Sequence, residues 1–273
     1  MTMLRVEIDD PVCTITLDRP ETLNALTLPM LAELRRAVDA AVADRRVVGI
    51  VVTGSGRGFC SGLDASVLQA TATAGSSTRP VADGPPGMFT WLLRVPKPVI
   101  AAVNGVAAGG GFVLAAMADL RIASSAAQFT TVFSKRGLIA EHGTSWILPR
   151  LIGTGAALDL LWSSRRIDAA EAARLGLVQQ VVEPDDLLAA ARRYLVDLAG
   201  NVSPASLADT KRLVYEGYGV TYADALEEVD AVQYAALDRA DAREGAAALI
   251  ERRLPAFARL GDADGPAGDP TGG

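Results

Sequence analysis

Apolar and polar residues alternate over residues 4–18, on both sides of the turn sequence Asp9-Asp10-Pro11. Alternation with a period of two predicts a β-hairpin. After a polar loop at 19–25, apolar residues recur at helical spacing, which predicts a helix with Thr27 as its N-cap and Pro29 in the first turn. The apolar positions of this helix are Leu31, Leu34, Val38, Ala41 and Val42. The chain therefore begins with two antiparallel strands and an amphipathic helix.

Short apolar runs organise the next part of the chain. Four of them have the length of buried strands: 47–53, 99–103, 120–123 and 177–182. We expect helices from Ala65, over 111–117 and after Asp168, whose spacing to Glu171 is that of a capping box. Beyond about residue 184 the pattern is almost wholly helical. Strands that alternate with helices predict an α/β fold.

Composition divides the chain into three parts. We expect a core at 1–200, a helical region at 201–260 and a disordered tail at 261–273, where Gly, Pro and Asp dominate. A stretch rich in Ala, Thr, Ser, Gly and Pro at 71–87 is interpreted as a surface loop. The sequence contains no internal repeat.

The overall composition makes several classes of protein unexpected for this chain. The 273 residues are 50% hydrophobic with a mean hydropathy of +0.24, which is enough for a sizeable core. The net charge of −6 argues against a nucleic-acid partner. Two cysteines and one histidine make a disulfide framework or a metal site unexpected and favour a cytoplasmic location. Residues 1–10 lack the apolar core of a signal peptide.

An uncharged segment at 98–118 has the length of a membrane span. It contains Asn104, Gly105 and three consecutive glycines at 109–111. Such a glycine content favours a strand, a turn and a buried helix, so we expect no membrane partner.

Two glycine-rich turns share one layout, in which an apolar strand leads into a turn and then a helix. They occupy residues 50–64 and 99–111. A helix N-terminus after glycines offers free backbone N–H groups that can hold an anion, although glycines also serve close packing of a helix on a strand. Two such turns in one chain favour an oxyanion hole, which needs two converging donors.

Other catalytic motifs are absent, because the residues do not have the spacing that these motifs require. The first turn is not G-x-G-x-x-G, no Gly-Lys-Ser/Thr sequence closes a phosphate loop, and no G-x-S-x-G elbow occurs. A Ser–His pair would have to use His142, and a lone histidine is more often structural.

Specific motifs within these turns resemble a known family. Phe59-Cys-Ser-Gly-Leu-Asp64 and Ala102-Val-Asn-Gly-Val-Ala-Ala-Gly-Gly-Gly111 are similar to the two signature loops of the crotonase family, the enoyl-CoA hydratases and isomerases. The resemblance covers about residues 5–260 and includes further motifs in order: Arg19-Pro20, Asn24-Ala25-Leu26, 118–123, 148–153, 169–178 and 244–257. It implies a crotonase-like α/β spiral of ββα units with a helical C-terminal trimerisation region, often assembled as a hexamer.

The resemblance also implies a site for an acyl-CoA thioester, with coenzyme A as part of the substrate and no separate cofactor or metal. The backbone N–H groups of Leu63 and Gly110 would hold the thioester oxygen. A groove for substrate would be lined by residues of both glycine turns and of the first loop: Thr22, Leu23, Ala25, Ser61, Gly62, Asp64, Gly109 and His142. Glu21 stands where many members carry a lysine near the CoA phosphates, which removes one ionic contact.

The acid/base residues depart from the hydratase pattern. Hydratases of this family use two glutamates, and the corresponding positions hold Val113 and Phe133. Glu141 instead resembles the position of the catalytic aspartate in dienoyl-CoA isomerases and aromatic acyl-CoA dehalogenases. Apolar neighbours such as Ile139 and Trp146 would raise its pKa and suit it to proton transfer.

Several residues near these loops have structural interpretations as well. Glu141 also suits a helix-capping acid, and His142 either contacts substrate or packs. Asp64 and Asp119 suit roles in holding a loop and a helix end, and Cys60 suits packing without thiolate activation.

We therefore expect an acyl-CoA-processing enzyme of the enoyl-CoA hydratase/isomerase type, a lyase or an isomerase, that forms an enolate. Its single carboxylate, Glu141, favours isomerisation, in which it would move a proton between carbons. Hydrolysis or dehalogenation with Glu141 as nucleophile, and a catalytically silent acyl-CoA-binding homologue, remain open. A homotrimer or hexamer is expected because the C-terminal helices carry more apolar residues than one small lobe needs. These residues are Leu207, Leu213, Val214, Leu226, Val229 and Leu249.

Overall fold

The computed structural model describes residues 2–67, 69 and 87–261. The predicted loop at 71–87 and tail at 261–273 lie outside these residues, apart from Gly87 and Gly261. Within them the chain forms two β-sheets with helices packed around them and a helical C-terminal region.

The larger sheet has six strands and contains the predicted hairpin. Its strands lie in the order β1-β2-β3-β5-β7-β10, with β1 antiparallel to β2 and the others parallel. Their bounds are β1 Leu4–Asp9, β2 Val12–Leu17, β3 Gly49–Gly54, β5 Val99–Val103, β7 Leu120–Ser124 and β10 Gln180–Val182. Every residue of β3 and β5 is buried, as their largely apolar sequences predict.

The smaller sheet has four short strands in the order β4-β6-β8-β9. They are β4 Gly58–Cys60, β6 Val106–Ala108, β8 Gln128–Thr130 and β9 Ile167–Asp168. Strands β3, β5 and β7 of the larger sheet are each followed by a strand of the smaller one, so the chain passes between the sheets in successive turns of a spiral. The two glycine-rich turns lie at these passages.

Nine α-helices pack around the sheets within the described residues, in addition to four short 3-10 helices and a helical turn that begins at Ala65. Their bounds are α1 Leu28–Ala43, α2 Gly110–Met117, α3 Thr144–Ile152, α4 Thr154–Ser163, α5 Ala169–Arg174, α6 Leu187–Asn201, α7 Pro204–Gly217, α8 Tyr222–Leu237 and α9 Ala240–Glu251. The capping predictions are confirmed, because Thr27 accepts from the Met30 N–H and Asp168 from the Glu171 N–H.

The predicted strand at 177–182 is too long. Only Gln180–Val182 pairs with β7, whereas Leu177 and Val178 are buried in a turn whose N–H groups both donate to Ala172 O. Apolar sequence does not distinguish a buried turn from a buried strand.

The uncharged segment at 98–118 forms β5, β6 and α2, and all eight residues of α2 are buried inside the protein. In the part of the chain that the structure covers, no helix is long and apolar enough to cross a membrane.

Candidate active site

The first glycine-rich turn ends beside the loop that precedes α1. Leu26 and Leu63 form a parallel bridge, in which the Leu26 N–H donates to Gly62 O over 2.8 Å and the Asp64 N–H to Leu26 O over 2.9 Å. In such a pair the N–H of Leu63 points away from Leu26. No backbone hydrogen bond of the described residues is donated by this N–H. It is therefore free to bind a ligand.

The second turn places a glycine in a conformation that other residues rarely adopt. Gly109 has φ 51° and ψ −117°, and its N–H donates to Thr130 O over 3.1 Å. Gly110 is the first residue of α2, so its N–H has no partner within the helix. Because α2 is fully buried, the positive end of its dipole is poorly screened by solvent.

The two turns approach each other so closely that side chains would separate them. A Cβ atom on Gly62 would lie 2.9 Å from Ala108 O and 3.2 Å from Gly110 N. A Cβ atom on Gly111 would overlap the Cys60 carbonyl oxygen. The glycines therefore bring the segments that carry the Leu63 and Gly110 N–H groups into contact, an arrangement suited to an oxyanion.

The loop before α1 is held by a buried amide that sequence reasoning missed. Asn24 is fully buried, and its Nδ2 donates to Gly58 O over 2.8 Å, Ser55 O over 3.0 Å and Phe59 O over 3.2 Å. Its Oδ1 accepts from the Arg19 N–H over 2.9 Å. The Asn-Ala-Leu sequence is thus a structural support for the first glycine turn.

Asp64 is held by the same loop. Arg19 donates to Asp64 Oδ2 over 3.0 Å, and the N–H and hydroxyl of Ser66 donate to its Oδ1 over 3.1 and 2.8 Å. These hydrogen bonds, with those from Ser66 the strongest, hold the pKa of Asp64 below its usual range. The structure therefore favours the loop-holding role for this carboxylate.

The remaining predicted groove residues lie around these contacts. Thr22, Leu23 and Ser61 are half-buried, and the Ser61 hydroxyl donates to Thr22 O over 3.0 Å. Ala25 is 7% exposed, and its carbonyl oxygen accepts from Arg19 over 2.6 Å. Gly62 and Gly109 are buried at the contact between the turns.

Glu141 begins a tight turn that leads into α3. His142 has φ 53° and Gly143 φ 81°, and two successive left-handed residues form a type I′ turn. The turn is closed by the Thr144 N–H, which donates to Glu141 O over 3.0 Å. The N-cap of α3 is Gly143, without a side-chain bond, so the interpretation of Glu141 as a capping acid is wrong.

The Glu141 side chain is half-buried, and its carboxylate makes no hydrogen bond or ion pair with any residue that the structure describes. Ile139 is 81% exposed and does not supply the apolar cover expected for this carboxylate, whereas Trp146 is half-buried. A carboxylate without a structural partner is available to a substrate.

Residues 87–90 connect the Glu141 turn to Gly110. A Cβ atom on Gly143 would lie 3.3 Å from Thr90 Cγ2 and 3.1 Å from Met117 Cε. At the other end, Met88 Sδ would be 3.6 Å from a Cβ atom on Gly110. Met88 thus lies beside the proposed oxygen donor, within the segment that packs on the Glu141 turn.

Three further residues of the predicted site differ in whether they can ionise: His142, Val113 and Phe133. Burial lowers the pKa of His142, and the charge of Glu141 partly opposes this shift. Val113 and Phe133 are buried, at 0% and 4% exposure. Neither residue has an ionisable side chain, so these positions supply no acid or base.

The surroundings of Asp119 and Cys60 indicate structural roles for both side chains. Asp119 accepts from the Val99 N–H and from Lys211 Nζ, both over 2.7 Å, and from the Tyr215 hydroxyl over 3.1 Å. Burial raises the pKa of Asp119 above its usual value despite these bonds. Burial also raises the pKa of the Cys60 thiol to about 12, which argues against a thiolate.

Comparison with known proteins identifies the family of this chain. The sequence model of the family described as enoyl-CoA hydratase/isomerase matches residues 7–259. The chain belongs to the enoyl-CoA hydratase/isomerase family. The fold prediction is thereby confirmed, because solved members of the family have the same architecture.

Two curated relatives illustrate the range of names in this family. A probable enoyl-CoA hydratase of Rhodobacter capsulatus is 37% identical over 93% of this chain and 97% of its own length. The 1,2-epoxyphenylacetyl-CoA isomerase of Escherichia coli is 34% identical over 94% of this chain and 98% of its own. Among solved structures, a putative enoyl-CoA hydratase from Streptomyces coelicolor superimposes with a TM-score of 0.84, at 36% identity over 94% of both chains.

Proposed function

We propose that this member of the hydratase/isomerase family is an acyl-CoA isomerase in which Glu141 is the single acid/base. The observation that carries the proposal is that the Glu141 carboxylate has no partner among the described residues, while Val113 and Phe133 have apolar side chains. Hydration needs groups that position and activate water, and an apolar pair cannot do so. The relative named as an isomerase is consistent with this choice.

The proposed reaction moves one proton. The Glu141 carboxylate removes a proton from the α- or γ-carbon of the acyl group, and the C–H electron pair passes into the conjugated thioester as an enolate. The N–H groups of Leu63 and Gly110 bind the enolate oxygen. Glu141, now protonated, returns the proton to another carbon, so the double bond moves and no other reactant is consumed.

Solvent deuterium exchange tests this proposal. Wild type and Glu141→Gln are each incubated in deuterated water with 2-enoyl- and 3-enoyl-CoA of equal chain length, and the acyl group is analysed by mass spectrometry. The variant should bind substrate but exchange roughly 10²–10⁴-fold more slowly. Glu183→Gln, which changes an exposed carboxylate, is the matched control.

Exchange by Glu141→Gln at the wild-type rate would overturn the proposal. Release of free coenzyme A, or of halide from a haloacyl-CoA, by wild type but not by Glu141→Gln, in place of exchange, would overturn isomerisation in favour of hydrolysis or dehalogenation at Glu141. A wild-type protein that binds acyl-CoA without exchange or turnover would be a silent homologue.

We propose further that α8 forms part of a homotrimer interface. Within the described chain, α8 has no buried residue, and its exposed apolar residues are Tyr222, Leu226, Val229, Tyr234 and Leu237. Leu226→Asp combined with Val229→Asp should reduce the mass found by light scattering. Leu188→Asp is the control, because Leu188 on α6 is 48% exposed and Leu226 is 49% exposed. An unchanged mass for the double variant would exclude this interface.

Coenzyme A enters this proposal as part of the substrate, without a further cofactor or metal. We place the protein in the cytoplasm, because both cysteines are buried free thiols, as suits a reducing compartment.

A further inference from the structure

An aromatic cluster joins the helix that follows Glu141 to the C-terminal region. Trp146 and Arg150 belong to α3, whereas Tyr215 lies in α7 and Tyr218 is its C-cap. The rings of Trp146 and Tyr218 meet edge to face, with centroids 5.5 Å apart. The Arg150 guanidinium lies 4.2 Å from the centroid of Trp146 and 5.3 Å from that of Tyr218.

One end of this cluster is fixed to the larger sheet. The ring of Tyr215 is 6.3 Å from that of Tyr218, and the Tyr215 hydroxyl donates to Asp119 Oδ1 over 3.1 Å. Asp119 in turn accepts from the Val99 N–H, at the start of β5. The Tyr218 ring is therefore held by a helix that is itself bonded to the core.

The other end of the cluster leads to Glu141 through one turn of helix. The Trp146 N–H donates to Gly143 O over 3.0 Å, and Thr144 bonds to Glu141 O. Gly143 caps α3 without any side-chain bond. No capping side chain accepts from the first N–H groups of α3, so the start of the helix is held by the packing of its side chains. These are buried Thr144 and Ile147 and half-buried Trp146, the largest of the three.

We propose that Tyr218 is a positioning residue for Glu141. Its ring holds Trp146, and thereby keeps the first turn of α3 and the preceding type I′ turn in the geometry that presents the carboxylate to the substrate. This inference rests on the proposed role of Glu141. It makes proton transfer dependent on a residue in the C-terminal region, which does not itself touch the reacting atoms.

Two substitutions distinguish the contribution of the Tyr218 ring from that of its hydroxyl. Tyr218→Phe keeps the edge-to-face contact, and the hydroxyl makes no hydrogen bond with the residues that the structure describes. Tyr218→Ala removes the ring. Tyr194→Ala is the matched control, because Tyr194 on α6 is 43% exposed, the same as Tyr218, and has no ring partner in the described chain.

The first measurement is hydrogen–deuterium exchange of the backbone N–H groups of Thr144, Trp146 and Ile147, which donate to Glu141 O and Gly143 O. These amides should exchange faster in Tyr218→Ala than in wild type, Tyr218→Phe or Tyr194→Ala. This readout does not depend on catalysis, so it tests the positioning even if the assignment of Glu141 as the base fails.

The second measurement is steady-state isomerisation of an enoyl-CoA. Tyr218→Ala should lower kcat about 10-fold or more with little change in KM, because misplacing a catalytic group slows the chemical step. Tyr218→Phe should restore kcat. The proposal is overturned if the three amides keep wild-type protection in Tyr218→Ala, or if kcat per folded molecule is unchanged while those amides open.

Discussion

Glu141 and Thr144 are bonded twice, because the Glu141 carbonyl oxygen accepts both the Thr144 N–H over 3.0 Å and the Thr144 hydroxyl over 2.7 Å. Thr144 is fully buried at the first position of α3. The backbone of Glu141 is thus fixed to the helix while its carboxylate stays without a protein partner in the described chain. This combination suits a group that must be well placed and yet free to exchange a proton.

Thr144→Val should weaken this fixation without changing the shape of the side chain. The N–H bond to Glu141 remains, so we expect the free energy of unfolding to fall by only about 1 kcal/mol. The rate of proton exchange should fall by a larger factor than this stability change explains. Urea unfolding and deuterium exchange into the acyl group measure the two effects. Equal exchange rates in variant and wild type would mean that the hydroxyl bond does not position Glu141.

Gly110→Pro should abolish most turnover, because proline has no N–H to donate to the thioester oxygen. Loss of one oxyanion donor lowers the rate about 10²–10³-fold. Gly110 is the first residue of α2, a position that accepts proline in many helices. Steady-state isomerisation measures the loss, and circular dichroism checks the fold.

Gly110→Ala is the matched control, because it adds the same Cβ atom and keeps the N–H. That atom would lie 3.3 Å from Leu26 Cδ1, a tight contact with a flexible side chain. The difference in kcat between the alanine and proline variants isolates the donor. If both variants lose activity equally, the loss is due to crowding and the oxyanion assignment has no support.

Signals local in sequence were sufficient for much of the fold. Thr27 and Asp168 are capping residues followed by apolar positions at helical spacing, and both caps form as predicted. The close contact between the glycine turns is also indicated by local sequence, since Gly62 and Gly111 leave room that a side chain would occupy.

The rest depends on contacts between segments far apart in the chain. Asn24 stands out in the sequence only as part of a family motif, yet it is buried against carbonyl groups more than thirty positions away. Met88 lies beside Gly110, although strands β5 and β6 separate the two residues along the chain. Arg121 lies in the 118–123 motif, but its burial does not follow from the apolar pattern; its side chain donates to Ala118 O over 2.7 Å at the end of α2. Periodicity contains no information on such pairings.

Both thiols should be inert in the native protein. Burial raises the pKa of Cys60 to about 12 and that of Cys13 to about 11, and neither side chain is accessible. An aromatic disulfide reagent at pH 8 should therefore label neither residue until urea unfolds the chain, after which both react. Rapid labelling of one thiol in the folded protein would indicate an activated cysteine and would reopen the role of Cys60.

Lys97 should make the stability of this protein depend on alkaline pH. Its side chain is 1% exposed, and Nζ donates to Ala41 O over 3.0 Å and to Asp44 O over 2.8 Å at the end of α1. Burial lowers its pKa from 10.5 to about 8, an effect that the nearby charge of Asp44 partly opposes. Below pH 8 both the folded and the unfolded chain carry the charge, and the folded state bears the full cost of burying it.

As the pH rises above 8, the folded chain releases the Lys97 proton while the unfolded chain keeps it up to about pH 10.5. The unfolded state then binds more protons, so this group makes the free energy of unfolding rise with pH across that interval. In Lys97→Met the contribution is absent, and the titrations of other groups largely cancel in the comparison. Between pH 7.5 and pH 10 the stability of wild type relative to Lys97→Met should increase by about 2.5 kcal/mol. Urea unfolding of both proteins at the two pH values measures this change, and parallel pH profiles would show that Lys97 titrates normally in the folded chain.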